Sequence, residues 1–147
     1  MGLEIQRMAI GGAMTDPEIK VDWPPNITDI NDVLPVSMNN IFAYGGIIYN
    51  PGGGKLPPWL IAHEKIHFAQ QGLFPARWWE KYLEDTKFRL EQEIEAHQEE
   101  YRVFCWFNRD RNKRRVHLKH MSRRLAARMY GRIITAKKAR KIIKAGA

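Results

Sequence analysis

Two histidines four residues apart, His63 and His67, with Glu64 directly after the first, are the residues of this chain best suited to chemistry. On a helix, positions four apart lie one above the other. Both imidazoles then project from one face and reach a single ion, which zinc would take at about 2.0–2.1 Å from each nitrogen. Glu64 points to the side of the pair, where it holds and deprotonates a water instead of occupying the metal. A catalytic zinc also needs a third protein ligand and one open position, so the rest of the chain must supply the third group.

The stretch LEQEIEAHQEEYRVF, residues 90–104, offers five glutamates for that role. Leu90, Ile94, His97, Tyr101 and Phe104 step by fours and threes and define an inward stripe. At about 100° per residue, Glu93 lies roughly 60° from the centre of that stripe and Glu95 roughly 140° away. Glu95 shares its face with Glu91, Gln98, Glu99 and Arg102, a solvated set. Glu93 sits beside His97 and Glu100 at the edge of the buried face. It is the best third ligand, with Glu100 and His97 as alternatives.

His63-Glu64-x-x-His67 followed on a later helix by Glu93-Ile94-Glu95-Ala96 resembles the gluzincin class of zinc metallopeptidases. The resemblance covers roughly residues 41–104 and suggests a minimal version, similar to short metallopeptidase-like proteins of bacteria and phages. It implies one zinc per chain on His63, His67 and Glu93, with Glu64 as general base towards a peptide or protein substrate. The class usually has an aspartate four residues after the ligand glutamate, orienting a zinc-bound histidine. Here that position is His97, a candidate for the same supporting role or for direct metal binding. The resemblance also implies an edge strand that pairs with extended substrate, for which Gly46, Ile47, Ile48 and Tyr49 are the candidates. Tyr101, on the inward stripe, is the candidate oxyanion donor, with His117, His120 and Tyr130 as alternatives.

The elements that must position these groups are legible in part. IKVDW and IFAYGGIIYN read as strands, and Gly45-Gly46 within the second permits either a hairpin turn or a bulge. DINDVLPVSMNN resists assignment, and Pro35 argues against a central strand there. Pro58 suits a first helical turn and Gly72 a helix stop, giving an active-site helix over 58–72. A second helical stretch within 76–107 has a kink or a break near Asp85-Thr86, where either residue can cap a new helix. The expected fold is α+β: a mainly helical, zincin-like domain over 1–108 with a small antiparallel sheet from residues 1–57, then a basic helical extension over 109–147.

Composition separates these two parts. Residues 1–108 carry nine Lys/Arg against fifteen Asp/Glu, net −6, while residues 109–147 carry fifteen against Asp110 alone, net +14. Arg111, Lys113, Arg114, Arg115, Arg123 and Arg124 are candidates for phosphate contacts. An acidic membrane surface is the competing partner, because Leu118, Met121, Leu125 and Met129 make the helix amphipathic. The plain alternative packs that apolar stripe on the acidic body. Trp59, Trp78, Trp79, Trp106 and Phe107 read as core or core edge, although adjacent tryptophans on a helix should not both face inward.

The lone Cys105 excludes an intramolecular disulfide and fits a reducing, cytoplasmic setting, or a virion if the chain is of phage origin. The amino terminus fits neither a secretory signal nor, with Gln6 following Gly2, a myristoylation site. No apolar run of about 18 residues is present. At 147 residues the chain can build a core without a structural metal. The other class of function is a non-catalytic virion- or nucleic-acid-associated protein, in which HEKIH is coincidental or holds a structural ion.

Overall fold

The structure is a computed structural model that describes residues 16–147. The expectations about the amino terminus lie outside the described residues. The fold is α+β, with three short strands and six α-helices. No described helix is long and apolar enough to cross a membrane.

Strands β1 (Glu18–Lys20), β2 (Phe42–Tyr44) and β3 (Ile47–Tyr49) form a sheet in the order β1-β3-β2. β2 and β3 make a hairpin at the paired glycines, whose φ values are +60° at Gly45 and +85° at Gly46. Two consecutive positive φ angles suit a tight hairpin turn and favour glycine at both positions. β1 pairs with β3 in parallel, so the sheet is mixed and not antiparallel as expected. The connection makes this possible: helix α1 (Ile27–Val33) lies between β1 and β2, in a stretch that resisted assignment. Its seven residues bury Ile30 alone, too short a pattern to show a helical period.

Helix α2 (Pro58–Gln71) starts at its proline and stops at Gly72, with φ +55°. Helix α3 (Pro75–Glu84) again has proline in its first turn. Asp85 then caps helix α4 (Thr86–Phe107) by accepting a hydrogen bond from the Phe88 amide. Asp110 caps helix α5 (Arg111–Leu125), and Thr135 caps helix α6 (Ala136–Gly146) after a short 3-10 turn at Arg128–Tyr130. Each cap satisfies amides that the helix itself leaves unpaired.

Two hydrophobic clusters flank the centre. One gathers Leu90 of α4 with Leu118, Met121 and Leu125 of α5, Tyr130, and Ala139 and Ile143 of α6. The other gathers Ile30, Phe42 and Tyr49 with Trp78, Trp79 and Tyr82 of α3. α4 packs on α2, α3, α5 and α6, which makes it the axis of the molecule. The basic segment 109–147 is therefore no appended arm, because its apolar stripe is buried against α4 on the same core.

The tryptophans also depart from expectation. Trp78 and Trp79 are both buried, at 6% and 7% exposure. α3 is covered on two sides, so Trp78 stacks on Tyr82 and donates to Gln92 Oε1, while Trp79 donates to the Ala43 carbonyl. Trp106 is 80% exposed and Phe107 57%, because α4 ends by running past the core.

Candidate metal centre

α2 is unusual in what it buries. Its leucine, isoleucines and alanines are at least partly exposed, while His63, Glu64, His67 and Gln71 are buried. Burying four polar side chains on one face is costly unless each is paired; His63, His67 and Gln71 are hydrogen-bonded, while Glu64 approaches His63 Nε2 only to 3.8 Å.

His63 and His67 face Glu93 across the α2–α4 contact. His63 Nε2 lies 3.1 Å from Glu93 Oε1, His67 Nε2 lies 3.2 Å from Glu93 Oε2, and the two Nε2 atoms are 3.2 Å apart. The outer nitrogens are held from behind. His63 Nδ1 donates to Glu100 Oε1 at 2.8 Å, and His67 Nδ1 donates to Gln70 Oε1 at 2.8 Å. Those acceptors place the ring proton of each neutral imidazole on Nδ1. Both Nε2 lone pairs then point at each other and at a carboxylate. Three acceptors in mutual contact need a shared cation or bound protons. Four ligands around zinc at about 2.0–2.1 Å would be spaced by about 3.3–3.4 Å, so the donor set fits zinc in chemistry and in spacing.

Without an ion, protons take its place. Burial alone would lower the His63 and His67 pKa values, but the carboxylates, Glu100 and Glu93 at His63 and Glu93 above all at His67, outweigh it and raise both. Burial would raise Glu93, yet the two histidines hold it well below the usual carboxylate range. Glu64, buried beside the cluster with Oε2 3.8 Å from His63 Nε2, is pushed up by burial, against the pull of the two histidines.

Glu100 and Tyr82 carry more of the support than the sequence suggested. Glu100 accepts from His63, from His97 Nδ1 at 3.1 Å and from His117 Nε2 at 2.7 Å. It is the carboxylate that orients His63; His97 bonds neither imidazole of the motif, so the supporting role expected of His97 falls to Glu100. The reason is helical pitch: Glu100 lies seven residues, close to two turns, beyond Glu93 and returns to its face. The Tyr82 hydroxyl donates to Glu93 Oε2 at 2.6 Å. Nothing in the periodicity of α3 marks Tyr82 apart from a core tyrosine.

His63, Glu93 and His97 also fall within 4.8 Å of one another. The tighter set is His63, His67 and Glu93, at 3.1–3.2 Å. His97 Nε2 is buried with no partner, and burial lowers its pKa.

A cavity of about 200 Å³ opens onto this cluster. Leu34, Pro35 and Val36 after α1, with Ile41 and Phe42, form a largely apolar wall that also includes Asn39 and Asn40. Arg124, Met129 and Tyr130 close the other side. Tyr130 is fully buried and burial raises its pKa, keeping the phenol neutral. Tyr101 does not line the cavity; it packs against the hydrophobic cluster of Leu90, α5 and α6. His120 is exposed, and His117 reaches only the back of Glu100.

The strand expectation is corrected. Gly46 lies in the hairpin turn, and Ile47, Ile48 and Tyr49 form the central strand, with both edges already paired. β2 is the edge nearest α2, and it is partly closed. Gln71 donates to the Ala43 carbonyl and accepts from the Gly45 amide, so its amide group stands in for a neighbouring strand.

The basic candidates divide as well. Arg114 donates to the carbonyls of Asn108 and Cys105 at the end of α4, and Arg124 lines the cavity. Arg111, Lys113, Arg115, Arg123 and Arg124 itself are exposed, with Arg115 donating to Asn112.

No family model, no curated protein and no solved structure matches this chain.

Proposed function

We propose that the chain is a zinc-dependent metallohydrolase acting on peptide bonds, with one zinc held by His63, His67 and Glu93. The observation that supports this reading is the convergence of two Nε2 atoms and one carboxylate at contacts of 3.1–3.2 Å, each imidazole fixed from behind. The chemistry a bound zinc supplies there is a water acidified towards a pKa of about 7 and a polarised carbonyl.

Glu64 takes the proton from the attacking water. Burial raises its pKa in the metal-free chain, the direction that suits a general base. As the oxygen bonds to the carbonyl carbon and the carbon–nitrogen bond breaks, Glu64 returns the proton to the leaving amine. Tyr130, a neutral phenol on the cavity wall, is the donor best placed for the carbonyl oxygen. The wall from Leu34 to Phe42 favours an apolar side chain beside the scissile bond. In this reading the site is of the gluzincin kind, with Glu100 in the supporting role.

A second reading rests on His97. If its unpartnered Nε2 takes the fourth position, the site is closed and structural. Metal analysis of purified variants separates the two. Under the hydrolase reading the protein holds one zinc per chain, His63→Ala or Glu93→Ala loses it, and His97→Ala keeps it. Glu64→Gln keeps zinc but loses peptide cleavage, read by mass spectrometry of a peptide mixture, by about 10²–10⁴-fold. Zinc lost from His97→Ala, with no cleavage by the unaltered chain, supports the closed site.

A further inference from the structure

The joint between α4 and α5 carries a strongly basic surface next to the capping Asp110. Among the described residues, no Lys or Arg of 109–147 lies within 4.0 Å of a carboxylate oxygen. Arg115, Lys119 and Arg123 are exposed and stand four residues apart, one above the other, in a single row along α5. At the end of that helix nearest α4, Trp106 is 80% exposed and Phe107 57%. Arg114 binds the carbonyls of Cys105 and Asn108, so the aromatic pair and the start of the cationic helix are tied together.

A tryptophan 80% exposed at the end of α4, one short loop before a helix that carries a row of exposed cations, has a specific chemical match. We propose that this surface binds single-stranded nucleic acid, with the Arg115–Lys119–Arg123 row following the phosphates and Trp106 stacking on a base. Stacking on an aromatic platform along a cationic track is how strands are held without sequence readout. A duplex does not fit as well, because its base faces are closed to Trp106. A membrane does not fit either. Leu118, Met121 and Leu125, the apolar face that an amphipathic helix would insert, are at most 1% exposed in the core.

The test uses the full chain and a short fluorescein-labelled oligothymidylate, followed by anisotropy across a potassium chloride series. Affinity is expected to fall linearly in log–log form with salt. Combined Arg115→Glu, Lys119→Glu and Arg123→Glu should make the slope shallower by about 2, at about 0.7 per phosphate contact on a single strand. Trp106→Ala should weaken binding at least about five-fold with the slope unchanged, and Trp106→Phe should restore most of it. Circular dichroism melting of each variant establishes that it is folded. No binding at low salt would overturn the proposal. So would Trp106→Ala binding as the unaltered chain does, a duplex of equal length bound as tightly, or phosphatidylserine vesicles bound in place of the oligonucleotide.

Discussion

His63 and His67 differ from ordinary core histidines in what holds their outer nitrogens. Glu100 and Gln70 accept from the two Nδ1 atoms, which leaves both inner nitrogens as acceptors facing Glu93. Partners of this kind fix the ring and raise its basicity. Glu100→Gln is expected to lower zinc affinity about 10- to 100-fold while leaving the stoichiometry at one, measured by competition with a chromogenic chelator.

The same groups set a pH dependence for the metal-free protein. His63 and His67 have raised pKa values, so their contribution to stability is complete below the ordinary 6.5 and is lost as pH rises through the raised values. Glu93 is lowered, so its contribution is present above 4.5 and is lost as pH falls through its depressed value. Melting curves in chelator should therefore show stability declining on the alkaline side of neutrality. Added zinc should reverse that decline, since binding to unprotonated histidines strengthens as pH rises. A chelated protein that becomes steadily more stable towards pH 9 would contradict this pairing.

At the scale of elements, the site depends on how α4 is held. Arg89, buried at 5% exposure, donates to the carbonyls of Tyr82, Leu83 and Met129. It thereby ties the end of α3 and the 3-10 turn to the first turn of α4, bringing Tyr82 and Tyr130 to the same side. Arg89→Met leaves three carbonyls without their donor. A loss of about 3 kcal/mol in unfolding free energy is expected by urea titration, at about 1 kcal/mol or more for each carbonyl. The buried arc of α4 is wider than the stripe its apolar residues define. With α2 on one side and α5 and α6 on another, the buried arc includes Arg89, Glu93, Ala96 and Glu100 as well. Periodicity marks apolar positions and is blind to polar groups buried by pairing.

At the scale of the molecule, the cluster lies where two hydrophobic cores meet. Removal of residues 109–147 strips Leu118, Met121, Leu125, Tyr130 and Ile143 from the core around Leu90. A chain ending at 108 is expected to lose cooperative thermal unfolding and to bind a hydrophobic dye, and a sharp transition like that of the full chain would show that the core survives. The division at 108 reflects net charge alone. Charge decides which face of α5 meets water, while the apolar stripe on the same helix decides what it packs on.

By itself the sequence determined the α+β class and the bounds of α2, and marked Gly45-Gly46 and Asp85-Thr86 as places where the chain turns. Each of these follows from local chemistry: positive φ at glycine, proline in a first turn, a side-chain cap. It also singled out His63, Glu64, His67 and Glu93, because fixed spacing on a helix places side chains before any tertiary contact forms. Only the tertiary structure decided that β3 is central, that Glu100 and Tyr82 support the cluster, that Tyr130 and not Tyr101 reaches the cavity, and that Trp106 stands in solvent. Those outcomes depend on which helix covers which face, and contacts between residues tens of positions apart leave no period in the chain.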